Sequence, residues 1–155
     1  MSYHKIRGLV EVKFSEPPNF SGRAKRGTKG QGVRYEARVA EGFPEATSGQ
    51  WIKFLDATGW HYCQPDLFFL TPRNVVILEV KRTDCGLARG QILNLYGPVL
   101  ERLFQRSSRG IVVAKYLARN TDTKLLATSL PQALALTKLG IPTLHWLGRG
   151  EFPKD

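Results

Sequence analysis

Gln64-Pro65-Asp66-Leu67-Phe68-Phe69-Leu70-Thr71-Pro72-Arg73-Asn74-Val75-Val76-Ile77-Leu78-Glu79-Val80-Lys81-Arg82 contains two apolar runs, Leu67 to Leu70 and Val75 to Leu78, around Thr71-Pro72-Arg73-Asn74. Both runs are rich in aromatic or β-branched residues and the insert carries turn residues, so the stretch reads as a β-hairpin of two buried strands. Antiparallel pairing keeps the sum of partner numbers constant. Setting Leu70 against Val75 therefore sets Asp66 against Glu79 and Gln64 against Lys81, unless a bulge slips the register. Opposed residues carry Cβ atoms about 5 Å apart, close enough for two carboxylates to share one metal ion. Alternation sends Glu79 and Lys81 to one face and Val80 to the other, into core. Charges beside a core are costly unless they are paired or hold a metal. Lys81 neutralising one acid is the plain explanation, and a metal site is the functional one.

The rest of the chain weighs on that choice. Its 155 residues, 42% hydrophobic, are enough for a single domain spanning 1–155 with a proper core. Lysine and arginine number 23 against 13 acids, a formal charge of +10. Such an excess favours polyanionic partners, nucleic acid before an anionic membrane surface, with a merely solvated basic surface as the alternative. No run approaches the roughly 20 apolar residues of a membrane span, and the first ten residues have no apolar signal core, so the expectation is a cytoplasmic protein with no membrane partner. Cys63 and Cys85 fall in no zinc-ligand spacing, and an intracellular protein is not expected to join them in a disulfide. His61 and Cys63 read as strand residues, with no partner cluster to make them ligands.

In chain order, Leu9 to Phe14 alternates as a half-exposed peripheral strand that Pro17-Pro18 stops. Residues 15–32 are expected to form a flexible basic loop, in which Arg23, Lys25, Arg26 and Lys29 are free to fold over a phosphate backbone or simply to be solvated. Val33 to Ala40 reads as a short helix carrying Glu36, either a surface acid paired with a nearby cation or a third carboxylate reaching the hairpin. Strand, turn and strand follow up to Cys63 and lead into the hairpin as a meander. Thr83 and Asp84 lie where a helix cap belongs, before a largely buried helix from Leu87 to Phe104 that Gly97-Pro98 should kink. Ile111 to Ala114 reads as a strand covered on both faces, Thr121 to Lys124 as a polar loop, Pro131 to Gly140 as a helix and Ile141 to Leu147 as a last strand. Trp146 is read as core, with an interface role as the alternative, and 148–155 as a frayed tail.

With this order of elements, Pro65-Asp66 and Glu79-Val80-Lys81, preceded by Glu36 and followed by Gln91, resemble the core of the PD-(D/E)xK nuclease superfamily between about Gly32 and Tyr116. The resemblance implies an α/β, restriction-endonuclease-like core: a central mixed β-sheet of four to five strands flanked by helices in the order αβββαβ. It also implies Mg2+, replaceable by Mn2+, held by Asp66 and Glu79 with the carbonyl of Val80 as an extra ligand. Lys81 would assist the attacking water, and Glu36 would support a second metal or orient water. Gln91 is similar in place to a glutamine of recombination-type exonucleases, which put tyrosine four residues later. Here Leu95 takes that position and Tyr96 comes one later. The likeness extends to small phage-encoded nucleases, for which the host cytoplasm would be the site of action.

The physical chemistry agrees, since a hard dication on oxygen ligands lowers the pKa of bound water and offsets charge on a phosphoryl group. Lys81 adds a point charge beside it. Lys115, with the four cations of the loop, would grip backbone phosphates without reading bases. The expectation is a metal-dependent endonuclease acting on DNA, with RNA left open. A dimeric Holliday-junction resolvase or an exonuclease is a lesser variant, and a homodimer would suit the resolvase. The rivals are a non-catalytic nucleic-acid-binding module on a nuclease fold and a protein-interaction domain.

Overall fold

The computed structural model describes residues 3–18, 28–150 and 152, with backbone alone for 28–33. The elements run β1 (Glu11–Phe14), α1 (Thr28–Gly42), β2 (Thr47–Ser48), β3 (Ile52–Asp56), β4 (Gly59–Cys63), β5 (Leu67–Leu70) and β6 (Asn74–Thr83). They continue with α2 (Gly86–Gln91), a π-helical turn (Ile92–Tyr96), α3 (Gly97–Phe104), β7 (Ser107–Tyr116), a 3-10 turn (Thr123–Leu125), β8 (Leu126–Ala127), α4 (Leu130–Leu136) and β9 (Thr143–His145). The architecture is α/β, with mixed β-sheets flanked by helices.

The hairpin β5–β6 takes the register its apolar runs dictate, from Leu70 opposite Val75 to Leu67 opposite Leu78. Thr71 closes the turn, its N–H reaching the Asn74 carbonyl at 2.9 Å while its hydroxyl accepts the Asn74 N–H at 2.9 Å. Around this hairpin the sheet has six strands in the order β2-β5-β6-β7-β9-β8, rather than the expected four to five. β6, β7, β9 and β8 are mutually parallel. Ile111, Val112, Val113 and Ala114 are fully buried, as a continuous apolar run inside a two-sided parallel sheet requires.

The expected meander does not form. β3 pairs with β4 on one side and with β1 on the other in a separate three-stranded sheet. The outer edge of β5 is taken instead by β2, Thr47 opposite Phe68 and Ser48 opposite Leu67, so the preceding hairpin has no edge left to join there. Ile52, Phe54 and Cys63 face inward and pack with Phe68, Val75 and Ile77 and with the α2–α3 layer. On the opposite face of the large sheet α1 and α4 cover Leu67, Val76, Leu78, Val80, Ile111 and Val113.

Helix α1 begins at Thr28, so 28–32 are helical where the sequence indicated loop; of the rest of that loop, 19–27 lie outside the described residues. Tyr35 and Val39, one helical turn apart, bury its inner face, and the Tyr35 hydroxyl donates to the Trp146 carbonyl at 2.8 Å. α2 starts after Cys85, not after Thr83 or Asp84. Asp84 is drawn elsewhere, into an ion pair with Arg89 at 2.7 Å and hydrogen bonds from the Thr121 and Thr143 hydroxyls. β8, and the shortening of the last strand to Thr143–His145, also escaped the sequence.

The expected kink at Gly97-Pro98 is a π-turn. The Gly97 N–H bonds the Ile92 carbonyl five residues back, and a Cβ on Gly97 would stand 2.6 Å from that oxygen, so only glycine fits. Pro98 has no N–H to give the Asn94 carbonyl, which instead accepts the Ile6 N–H at 3.1 Å. The N-terminal segment thus satisfies the group that the proline orphans. Among the described residues no helix is long and apolar enough to cross a membrane.

The stretch expected to be a frayed tail holds one anchor. Phe152 is buried, stacks on Phe43 at 5.7 Å and meets Trp146 edge-on at 5.3 Å, and Trp146 itself is core. Its Cβ lies where Gly42 leaves room, since a Cβ there would approach to 2.8 Å. Phe152→Ala is expected to cost about 3 kcal/mol in a urea unfolding titration, the loss typical of a core phenylalanine rather than of a frayed end.

Candidate active site

One step past Leu67–Leu78 the hairpin brings Asp66 and Glu79 together. The Asp66 carboxylate accepts the Val80 N–H at 2.7 Å, an anchorage that holds it against β6 beyond the last ladder pair. Its carboxyl group lies within hydrogen-bonding range of those of both Glu79 and Glu36. The acids therefore form a row with Asp66 in the middle. Glu36 is brought by α1, where it follows the buried Tyr35. The Lys81 ammonium stands 3.8 Å from Glu79 Oε1, on the same face of β6 by alternation.

Burial dominates the electrostatics of this row. The Glu79 side chain is 3% exposed, and burial, against the pull of Asp66 and Lys81, pushes its carboxyl up to about 7. Burial and the negative charge of Asp66 push Glu36 up to about 8. Burial and the Glu79 charge drive Asp66 well above the usual carboxylate range. Without a cation the row holds protons near neutral pH that ordinary carboxylates would have released.

One further atom marks the site as suited to a hard cation: Glu79 Oε2 is buried with no hydrogen-bond partner among the described residues, as is Gln91 Oε1 on α2. An orphaned carboxylate oxygen beside two other acids, all oxygen donors, fits a magnesium-type ion. Asp66 and Glu79 would hold it, with Glu36 supporting them. Gln91, at the end of α2, enters the π-turn that carries Tyr96. The buried Tyr96 hydroxyl is pushed above its ordinary value, by burial first and then by the charges of Glu79 and Asp66, so it lies in the field of the acid row. Leu95 and Tyr96 both pack in the core on this side of the sheet.

Of the expected phosphate-binding cations, Arg23, Lys25 and Arg26 lie outside the described residues and Lys29 is described by backbone only. Lys115 lies at a place the sequence did not reveal. With Arg34, Arg38 and Arg82 it lines a recess of about 190 Å³, and with Arg38 and Arg149 an adjoining cleft of about 560 Å³. Among the described residues none of these five cations forms an ion pair. Arg82 and Lys115 both lean on the ring of Tyr116, each 5.3 Å from its centroid. Arg34 and Arg38, one helical turn apart, were legible as one face of α1, whereas the approach of β7 and the segment after β9 was not.

Comparison of the chain with protein-family models, with curated proteins and with solved structures finds no match in any of the three. Function is therefore read from the site itself.

The raised carboxyls link stability to pH. In the folded chain they bind protons that the unfolded chain releases in the ordinary carboxylate range. Their stabilising contribution is complete below that range and is lost as pH rises through about 7 for Glu79 and about 8 for Glu36. Denaturant midpoints in a chelator are expected to fall over this window, and Glu36→Gln with Glu79→Gln should flatten the decline. Excess Mg2+ should reverse it in the wild type only.

Proposed function

We propose that the protein is a divalent-metal-dependent nuclease of the PD-(D/E)xK type, acting on DNA as an endonuclease. The observation that carries this reading is the meeting of the Asp66 and Glu79 carboxyls at the end of β5 and β6, with the Lys81 ammonium 3.8 Å from Glu79. A lone ion pair would need one acid for one lysine. Three acids around one lysine hold protons that a bound dication would displace, its charge balancing the carboxylates so released.

A magnesium ion bound there would supply an acidified water and positive charge for the scissile phosphate. The chain's own residues would do the rest. Asp66, fixed by the Val80 N–H, and Glu79, fixed by the sheet, would present oxygens in a rigid frame. Glu36, its carboxyl beside that of Asp66, would support a second metal or orient the attacking water. The Lys81 ammonium would stabilise negative charge as it develops on the phosphate oxygens. The basic recess, sharing α1 and β6 with the acid row, would hold the strand by its phosphates whatever the bases.

The π-turn bears on the branch of the superfamily. It spends one more residue than an α-helical turn, so the position four residues after Gln91 passes to the fifth, which is Tyr96. The departure read from spacing, Leu95 where exonucleases of the recombination type have tyrosine, would thereby be offset in three dimensions. This raises the exonuclease variant as the second reading.

Supercoiled, circular single-stranded and linear DNA, with an RNA control, incubated with Mg2+ or Mn2+ test the proposal. Cleavage is expected, and Asp66→Asn and Lys81→Ala should each reduce it about a hundredfold or more. A wild type that leaves every substrate as intact as these variants do removes the enzymatic reading. Loss of cutting on circular substrates alone selects the exonuclease variant. In binding titrations without cleavage, Arg38→Ala and Lys115→Ala should weaken affinity for all sequences alike and lower the salt dependence by about one unit each.

A further inference from the structure

In the three-stranded sheet, not the one that carries the acid row, β3 ends in Asp56, whose side chain is 0% exposed. Two imidazoles converge on it. His4 Nε2, from the segment before β1, is 2.7 Å from Asp56 Oδ2, and His61 Nε2, from β4, is 3.3 Å from Oδ1. The rings stack with centroids 3.8 Å apart and planes 23° from parallel. All three donor atoms come within 4.8 Å of one another, the one such group of His, Cys, Asp or Glu among the described residues. The acid row does not form such a tripod.

The surroundings are those of a built site. Asp56 Oδ1 accepts the Thr58 N–H at 2.8 Å and the Thr58 hydroxyl at 2.6 Å, and Oδ2 accepts the Arg7 N–H at 3.2 Å, so the carboxylate is held in one orientation from both sides. Burial opposes its charge, yet these bonds and that of His4 keep its carboxyl below the usual range. The histidines are 31% and 28% exposed, which leaves an entry path from solvent. Two imidazole nitrogens and one carboxylate oxygen are the donor set that zinc takes, with a fourth position for water. With bonds of about 2.1 Å, donors around a tetrahedral ion lie about 3.4 Å apart. The two contacts run to different oxygens of Asp56, 3.3 Å from His61 to Oδ1 and 2.7 Å from His4 to Oδ2, and His61 Nε2 also lies 2.7 Å from the Thr58 hydroxyl, so an ion would take one oxygen, displace these contacts and part the stacked rings.

We propose that His4, Asp56 and His61 form a zinc-type site, separate from the acid row. Its position gives it a consequence for the fold. His4 lies between Tyr3, whose hydroxyl accepts from the Asn94 side chain at 2.9 Å, and Ile6, whose N–H bonds the Asn94 carbonyl at 3.1 Å. Arg7 and Val10 bind β3 and its turn through backbone hydrogen bonds to Ala57 and Leu55. A metal on His4 would clasp this strap to the β3–β4 hairpin and, through the strap, steady the π-turn that carries Tyr96. The sequence hid the site because its ligands are brought together by the pairing of β3 with β4 and by the course of the strap.

The test is metal binding by chelator-treated full-length protein. Zn2+ titrated by calorimetry is expected to bind at one equivalent in the Asp66→Asn, Glu79→Gln double variant, in which the acid row no longer competes, and at the same site in wild type. It should weaken at least about tenfold in His61→Gln and in His4→Gln. Co2+ added to the wild type should give the intense visible bands of a four-coordinate ion, a readout that needs no variant to fold. Zinc should also raise the thermal midpoint of wild type but not of His61→Gln. Absence of stoichiometric Zn2+ binding, only the weak bands of six-coordinate Co2+, or binding unchanged by both histidine substitutions would overturn the proposal. Because the acid-row variant is one of the arms, the result is independent of whether the protein cleaves nucleic acid.

Discussion

The hydrogen bond from the Val80 N–H to the Asp66 carboxylate, 2.7 Å long, is the contact on which the candidate site depends. It exists because the hairpin pairs Leu67 with Leu78, and it vanishes if the register slips by one residue. A slip would also turn Val76 and Leu78 away from α1 and place Glu79 in the apolar layer beneath it. Packing therefore selects the register, and the register places the acids.

Keeping Asp66, Glu79 and Glu36 together is an expense the rest of the molecule absorbs. Each is pushed away from its ordinary ionisation, chiefly by burial. Around them are apolar side chains on both faces of a six-stranded sheet, with Leu78, Ile77, Ile111 and Val112 fully enclosed. The wall opposite the acids is built differently. It is a helical layer broken at Pro98, whose orphaned carbonyl partner at Asn94 is satisfied by a segment more than eighty residues earlier in the chain. One proline thus ties the N-terminal strap to the turn that carries Tyr96, and on the proposed reading it ties the zinc-type site to the reaction site as well.

Much of this was legible in the residues. The two apolar runs and the turn between them determine the hairpin, and the constant sum of paired numbers places Asp66 beside Glu79. The Ile111 to Ala114 run announces a strand buried on both faces, and Pro131 announces the start of a helix, which the Ser129 hydroxyl caps and which ends at Leu136, short of Gly140. What escaped were partnerships. Two residues, Thr47 and Ser48, occupy the edge of β5 and send the β3–β4 hairpin to β1, and nothing in a two-residue strand advertises that. Phe152 looked like part of a tail because its pocket is assembled from Phe43, Trp146 and the bare face of Gly42.

The sequence by itself determined the local alternation, the turns and the pairing within the hairpin, because these follow from neighbours a few positions apart and from a period of two. It also determined that the chain carries a large positive charge. Tertiary structure alone decided which cations share a recess, that Tyr96 lies in the field of the acids, and that His4 and His61 meet over Asp56. Those outcomes rest on contacts between segments distant in the chain and on a single residue inserted in a helical turn. No local period encodes them; they are settled by which surfaces can be buried together.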